Sequence, residues 1–345
     1  MYLGYGMKIS KKKAVVVLIV FLEIGLGFLF LKNNYYDLFL HKKVLGTISR
    51  DNVILSEDQN HSSSDSEIFN FKHYFEYKPS SKIIVERDWL LKSVTYHIND
   101  NGFNDELNYQ TSKSNDVIRI AAIGDSFTFG NYVNTDQNWP SQLELMLNRQ
   151  SEICKFEVIN MGLGAADIPY LIRRYHDLGK TFKSDIVLWY ESGSGFSRDS
   201  EMTYEITKDC KNPRFDSNSD DLDINKIHYC WDEAQKKIND IYYDVDDFII
   251  HVSKYFDYFF KYSIGQSQLI YFTPNKDLNE RSLYIFEYLD QRYNRGYFIK
   301  SVEQLPLSEE YRLLDHHPTV MGHKFIAEQA IQILSDHDIT QQCFR

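Results

Sequence analysis

The feature that most constrains this chain is an apolar run that stops abruptly at a Gly-Asp-Ser tripeptide. Residues 117–123 read Val-Ile-Arg-Ile-Ala-Ala-Ile, and Gly124, Asp125 and Ser126 follow directly. A short, nearly continuous apolar run of this kind predicts a strand that is buried on both faces, as strands of parallel sheets are. In open α/β sheets, ligands bind just beyond the carboxyl ends of the strands. We therefore expect the Ser126 hydroxyl to lie at the ligand-binding edge of a parallel sheet.

Apolar runs and helical patterns alternate along the rest of the chain. Further strands are predicted at residues 156–160, 185–190 and 268–274, and helices at 139–148, 168–178, 234–262, 279–292 and 324–334. Strands that alternate with helices at these intervals predict a parallel, doubly wound sheet of the α/β class.

A lysine-rich N-terminus precedes a segment that is long enough to cross a membrane. Residues 8–13 include four lysines, and residues 14–31 contain no charged side chain except Glu23. A membrane-spanning helix needs about 17 to 25 such residues, and lysines on the N-terminal side favour a cytoplasmic N-terminus. We expect a single-pass signal anchor, with the rest of the chain outside the cytoplasm, either periplasmic or extracellular. A cleaved signal peptide is one alternative, although no A-x-A-like cleavage site follows the apolar run. A buried helix of a soluble protein is the other alternative.

The remaining segments follow from composition. We expect a cytoplasmic basic segment at 1–13, the transmembrane anchor at 14–31 and a polar linker at 32–66. A small β lead-in is expected at 67–116, with strands at 82–86 and 93–98, and the main domain at 117–345 with a polar insertion at 199–232.

Charge and cysteines narrow the choice of partners. The formal net charge of −11 argues against nucleic acid, which is bound by clustered Lys and Arg. The four cysteines are Cys154, Cys210, Cys230 and Cys343, and none is placed at a zinc-ligand spacing. Cys210 with Cys230 is one candidate disulfide, because both flank the polar insertion, and four unpaired thiols are the alternative. The chain has no P-loop, no dinucleotide fingerprint and no metal-ligand pattern, so the sequence calls for no cofactor.

A serine nucleophile needs a base within hydrogen-bond reach and a carboxylate that orients the base. The chain offers these residues together in Asp315-His316-His317-Pro318, and Gly322-His323 follows shortly afterwards. The two blocks, Gly-Asp-Ser after a strand and Asp-x-His-Pro near the C-terminus, resemble those of the SGNH, or GDSL-type, hydrolases. The resemblance covers roughly residues 99–334.

That resemblance implies a fold and a set of roles. The fold is a three-layer α/β/α, flavodoxin-like parallel sheet, with Ser126 as nucleophile, His317 as general base and Asp315 as the partner of His317. We favour His317 over His316 because His317 directly precedes Pro318, as in the family. His323 is expected to be structural, packing the catalytic loop.

The oxyanion donors are where the sequence departs from the family. The family pattern implies the Ser126 backbone N–H, a second N–H at Ala165 with Gly164 beside it, and an Asn side chain after the third strand. Ser194 occupies the place of that Asn. Three readings stay open: Ser192 or Ser194 substitutes, a residue of the polar insertion substitutes, or activity is low.

Two side-chain carboxylates near these blocks also need an interpretation. We expect Asp125 to hydrogen bond the backbone amides of its own turn. Glu191, at the end of the third strand, is interpreted as a solvated loop carboxylate; the alternative is that it lies near the site and disfavours an oxyanion.

Together these observations predict a membrane-anchored, extracytoplasmic serine esterase or acylhydrolase that acts on ester-bearing envelope glycans or lipids. Two alternatives remain. One is an O-acetyltransferase acting on surface polysaccharide, which would share the same machinery. The other is a catalytically weakened envelope-binding or accessory protein with the same fold.

Overall fold

The structure is a computed structural model. It describes residues 53–57, 68–69, 73–87, 89–193, 195–196, 198–200, 202–203, 233–234, 236–242, 244–273, 280–293, 296–300, 303–336 and 343. The expected anchor at 14–31, Ser194, Cys210 and Cys230 lie outside these ranges. Within them, no helix is both long and apolar enough to cross a membrane.

A five-stranded parallel sheet forms the centre of the main domain, which confirms the predicted α/β class. Its strands are β5 (Val117–Ile123), β6 (Lys155–Asn160), β7 (Ile186–Tyr190), β8 (Gln268–Thr273) and β9 (Gly296–Lys300). Their order across the sheet is β6-β5-β7-β8-β9, with every pair parallel. In this order the chain reverses direction beside β5, so the carboxyl end of β5 lies at a topological switch point, where ligands of such sheets bind.

Helices cover both faces of this sheet. They are α1 (Ser126–Phe129), α2 (Trp139–Gln150), α3 (Ile168–Asp177), α4 (Val245–Tyr258), α5 (Glu280–Arg292) and α6 (Val320–Asp336). Successive strand residues point to opposite faces: Ile120 and Ala122 pack with α2 and α6, whereas Ala121 and Ile123 pack with α3, α4 and α5. The core is therefore two apolar layers separated by the sheet.

Two predicted helices differ from the structure. The helix predicted at 234–262 is interrupted, because the Asp244 side chain accepts from the Asp246 N–H and so begins a new helix, α4. The last helix begins at Val320 rather than at 324, which places His323 inside its first turn. The strand β9 was not predicted. It is a five-residue strand that, among the described residues, pairs only with β8.

Two antiparallel pairs precede the main sheet. Strands β3 (Ser81–Val85) and β4 (Val94–Ile98) are the predicted strands of the lead-in. Strands β1 (Val53–Glu57) and β2 (His73–Tyr77) form the other pair. Strand β1 was not predicted; it lies within the expected polar linker at 32–66.

A disulfide joins Cys154, just before β6, to Cys343 near the C-terminus. The alternative of four unpaired thiols is therefore wrong.

Candidate active site

The structure brings Ser126, His317 and Asp315 into one hydrogen-bonded chain. The Ser126 hydroxyl lies 2.8 Å from His317 Nε2, and His317 Nδ1 lies 2.8 Å from Asp315 Oδ2. A carboxylate can only accept, so Nδ1 carries the proton and Nε2 is left to accept from the serine hydroxyl. The Asp315 side chain is only 3% exposed and also accepts from the His317 backbone N–H at 3.1 Å. The carboxylate thus fixes both the tautomer and the orientation of the imidazole.

The turn that presents Ser126 depends on a glycine. A Cβ on Gly124 would lie 2.7 Å from the Tyr190 carbonyl oxygen, so only glycine lets β5 end this close to β7. Asp125 then caps α1, because its Oδ1 accepts from the Phe127 N–H at 3.0 Å, as predicted. Ser126 is the first residue of α1, at the positive end of the short helix.

His317 comes from a hairpin whose geometry separates it from His316. Arg312 and Pro318 form an antiparallel bridge, and the His316 N–H donates to the Leu313 carbonyl. His316 has a φ of 68°, the left-handed conformation found in hairpin turns that end in a bulge. Its side chain is exposed, whereas that of His317 is 18% exposed and faces Ser126. Of the two histidines, the geometry therefore brings His317 to the nucleophile.

Two aromatic rings pack against the imidazole, and the sequence analysis identified neither. The Phe127 ring lies 5.4 Å from the His317 ring, and the Tyr132 ring meets it edge-on at 5.3 Å. Tyr132 has a φ of 67°, and its N–H donates to the Tyr96 hydroxyl at 2.7 Å. A tyrosine in the left-handed region is uncommon and has no signature in the sequence.

The loop after β6 packs directly on the nucleophile helix. A Cβ on Gly162 would lie 2.6 Å from the Thr128 carbonyl carbon, so this loop fits only with a glycine there. Ala165, three residues on, has a φ of 56°, in the region that glycine prefers. Within the described part of the chain, the backbone N–H groups of Ser126 and Ala165 donate to no other residue. They remain available as oxyanion donors, in the positions that the resemblance implies.

A buried arginine holds this loop from the other side. The Arg174 side chain is 1% exposed and donates to the carbonyls of Gly162 at 2.8 Å and Gly102 at 2.9 Å. Its Nε lies 2.9 Å from both carboxylate oxygens of Glu76. The β lead-in and the loop that carries Ala165 are therefore tied to one guanidinium.

The turn after β7 is organised by a buried carboxyl. Glu191 is 3% exposed, so its interpretation as a solvated carboxylate is wrong. Its Oε1 accepts from the Gly193 and Gly195 N–H groups, both at 2.9 Å, and its Oε2 accepts from the Tyr271 hydroxyl at 3.1 Å. Burial and the neighbouring Asp125 charge raise the pKa of Glu191 to about 7.

Ser192 and Arg198, in and just after this turn, both contact Asp125, the residue before Ser126. The Ser192 hydroxyl donates to Asp125 Oδ2 at 2.7 Å, so its single proton is directed away from an oxyanion. Arg198 lies 3.4 Å from the same carboxylate oxygen. Asp125 therefore links the turn after β7 to the cap of α1. The sequence analysis did not identify Arg198, which directly precedes the predicted insertion.

His323 has the structural role that was predicted. Its side chain is fully buried, and its Nδ1 accepts from the Trp139 N–H at the start of α2 at 3.2 Å. Burial, with His317 nearby, lowers the pKa of His323 to about 3, so the ring is neutral. Beside it, Gly322 lies so close to the Tyr311 carbonyl oxygen that a Cβ would overlap it. The hairpin that carries His317 is thereby packed against α6.

Within the described ranges, no group of three or more His, Cys, Asp or Glu side chains could hold a metal ion. The groups arranged around Ser126 are those of nucleophilic acyl transfer.

Comparison with protein-family models and with curated proteins found no match. Comparison with solved structures found several. A GDSL-like lipase from Bacteroides thetaiotaomicron matches with a TM-score of 0.38 and 10% identity, over 66% of this chain and 93% of that one. A lipase/acylhydrolase from Enterococcus faecalis matches with a TM-score of 0.38 and 11% identity, over 64% and 96%. A carbohydrate esterase matches with a TM-score of 0.39 and 13% identity, over 76% and 89%.

The matched structures are lipases and esterases, including the GDSL type that the sequence motifs resemble. Because these TM-scores and identities are low, the functional proposal below rests on the geometry around Ser126.

Proposed function

We propose that this protein is an ester hydrolase that works through a covalent acyl-enzyme on Ser126. The observation that carries the proposal is the chain of two 2.8 Å contacts from the Ser126 hydroxyl through His317 to the buried Asp315. This chain lies at the carboxyl end of β5, where ligands of such sheets bind. A buried carboxylate, a histidine of fixed tautomer and a serine in contact are the parts of an activated nucleophile.

The reaction follows from these contacts. Ser126 Oγ attacks the ester carbonyl carbon while His317 Nε2 takes the hydroxyl proton, and Asp315 stabilises the imidazolium that forms. The carbonyl oxygen becomes an oxyanion that faces the N–H groups of Ser126 and Ala165. When the intermediate collapses, the C–O bond to the alcohol breaks and His317 returns its proton to the leaving oxygen. A water that gives its proton to His317 then attacks the acyl-enzyme and releases the acid.

We further propose that the protein acts outside the cytoplasm, tethered by residues 14–31, on esters of envelope glycans or lipids. The apolar length of that segment and the lysines before it support the tether. The Cys154–Cys343 disulfide supports an oxidising compartment, because disulfides rarely persist in the cytosol.

The test is hydrolysis of a short-chain aryl ester by the detergent-solubilised full chain. Ser126→Ala is expected to lower kcat/KM by about 10⁶-fold, because a complete triad acts as a unit. A fluorophosphonate should label the wild-type protein and leave Ser126→Ala unlabelled. Equal hydrolysis by the two proteins would overturn the proposal. A folded wild-type protein that neither hydrolyses nor reacts would indicate an accessory protein instead.

The two adjacent histidines offer a matched control. His317→Ala should lower activity about as far as Ser126→Ala does, because the serine then lacks its base. His316→Ala removes an exposed ring, so activity close to wild type is expected. The reverse result would identify His316 as the base.

A further inference from the structure

We propose that Arg87, Trp89 and Tyr132 form a subsite for an anionic group, a carboxylate or a phosphate, on the alcohol part of the ester. We call these three residues the lead-in wall, because Arg87 and Trp89 lie between β3 and β4. The proposal rests on the proposed esterase function and adds the chemical class of the alcohol.

The first observation is the conformation of Tyr132. Its φ of 67° lies in the left-handed region, where a bulky side chain is an outlier. Such residues persist where the surroundings hold them, and they concentrate at functional sites. Here the Tyr96 hydroxyl accepts from the Tyr132 N–H, and the ring is directed edge-on to His317. The backbone is therefore held in an unfavourable conformation that places this ring beside the catalytic imidazole.

The second observation is that another aromatic ring packs against Tyr132. The Trp89 ring meets the Tyr132 ring at 4.9 Å with an interplanar angle of 69°. Trp89 is part-exposed although it is one of the largest side chains of the lead-in. Part-exposed aromatic rings that adjoin a reactive centre provide a low-entropy surface on which a ring-shaped ligand can pack.

The third observation is the Arg87 guanidinium, which lies beside the Tyr132 ring. The Arg87 Cζ lies 5.8 Å from the Tyr132 ring centroid. Its Nη1 donates to the Glu86 carbonyl at 2.6 Å, while its buried Nε has no hydrogen-bond partner. Across the described ranges, Arg87 makes no ion pair with a carboxylate. A buried, unsatisfied donor on a charged group is costly, and a carboxylate or phosphate is what a guanidinium binds best.

The position of the wall determines which part of the substrate it meets. The acyl carbonyl must face the oxyanion donors of Ser126 and Ala165. The alcohol oxygen must face His317, because His317 supplies the proton with which the alcohol leaves. Tyr132 packs on His317, and the Arg87 guanidinium lies 5.8 Å from the Tyr132 ring centroid. A group bound there belongs to the alcohol, and a sugar unit packed on the aromatic rings would present its anion to Arg87.

The test compares monoacetyl esters of related sugars that carry no charge, a carboxylate or a phosphate. The probes are acetylated methyl glucoside, acetylated methyl glucuronoside and acetylated glucose 6-phosphate, each incubated with the full chain at low salt. Wild type should hydrolyse at least one anionic ester with a kcat/KM about 10- to 100-fold above that of the neutral one, the range of a charge-assisted hydrogen bond. The better of the two identifies carboxylate or phosphate as the anion.

Variants assign this preference to the wall. In Arg87→Met the anionic-to-neutral ratio should fall to about one, and Arg87→Lys, which keeps the charge but loses the planar fork, should keep part of it. Lys92→Met is the matched control, since it removes an exposed positive charge from the same loop and should leave the ratio unchanged. Thermal unfolding monitored by circular dichroism establishes that each variant is folded.

A binding measurement separates this inference from the esterase proposal. Methyl glucuronoside and glucose 6-phosphate should bind Ser126→Ala and change its tryptophan fluorescence, and Arg87→Met introduced into Ser126→Ala should weaken that binding about 10-fold or more. Failure of the esterase proposal would appear as no turnover of any ester with this binding intact. A ratio of one in wild type, an undiminished ratio in Arg87→Met, or an equal loss in Lys92→Met would each overturn the subsite.

Discussion

Replacing Glu191 by Gln should change how the stability of the fold depends on pH. The buried Glu191 carboxyl has a pKa of about 7, against an ordinary value of 4.5. Because the folded state holds this proton more tightly than the unfolded state, Glu191 adds stability below about pH 4.5, and that stability is lost as the pH rises through about 7. A tenfold difference in proton affinity is worth about 1.4 kcal/mol, so the loss amounts to about 3 kcal/mol.

Glutamine reproduces the protonated carboxyl at this position. Its oxygen can accept from the Gly193 and Gly195 N–H groups, as Glu191 Oε1 does, and its NH₂ group can donate to the Tyr271 oxygen. The two proteins should therefore have similar stabilities at about pH 5. At about pH 8 the Gln variant should be the more stable by about 3 kcal/mol, since it cannot ionise.

Urea unfolding of both proteins at the two pH values measures this difference. Burial also raises the pKa of Asp105 to about 7, so wild type and variant share a second loss of stability with rising pH. The difference between the two proteins isolates Glu191. Glu328→Gln, at a half-exposed position on α6, is the control and should shift stability equally at both pH values. A Glu191→Gln difference that does not grow with pH would refute the reasoning.

Three further predictions concern the loops around the site. Ala165→Gly should raise the unfolding free energy by about 0.5 kcal/mol, because relief of the left-handed alanine slightly exceeds the entropy cost of glycine; a lower melting temperature would contradict this. Gly162→Ala should cost about 3 kcal/mol or more and lower esterase activity, because the new methyl group displaces α1; an unchanged melting temperature would contradict the close packing. Cys343→Ser should cost about 2 to 5 kcal/mol in denaturant, and reductant should lower the stability of wild type more than that of the variant.

The groups that the sequence predicts best are those fixed by local chemistry. Gly124, Asp125 and Ser126 could be placed because an apolar run that ends in Gly-Asp-Ser has few folded alternatives in an α/β chain. Asp315 and His317 could be paired because the Asp-x-His-Pro segment resembles the C-terminal block of the SGNH hydrolases. The structure brings all three triad positions together, with contacts of 2.8 Å.

The groups that the sequence does not predict are those fixed by tertiary contacts. In the sequence, Glu191 looks like an exposed carboxylate in a loop. It is buried in the structure because Tyr271 from β8 and Gly195 pack against it. Tyr132 adopts a positive φ that no residue near it in sequence requires, and the Tyr96 hydroxyl that secures it comes from β4. Cys154 and Cys343 are 189 residues apart, and the spacing of cysteines in a sequence does not indicate which of them pair.

The turn after β7, where the sequence departs from the family's Asn, affects the expected rate of ester hydrolysis. Ser192 and Arg198 both direct their donors to Asp125, and Asp125 in turn caps the helix that begins with Ser126. Among the described residues, the turn therefore supports the nucleophile and does not provide an oxyanion donor. A site that has only the two backbone donors of Ser126 and Ala165 would lose about 10² to 10³-fold in rate for the same chemistry; Ser194 and most of the insertion lie outside the described residues. Such a site can still work where the alcohol is held by contacts outside the oxyanion hole, because binding energy from a remote group can position the ester for attack. The lead-in wall beside His317 is placed to supply that energy. The ratio of kcat/KM between the anionic sugar esters and an aryl acetate should therefore be much larger than the ratio of their chemical reactivities.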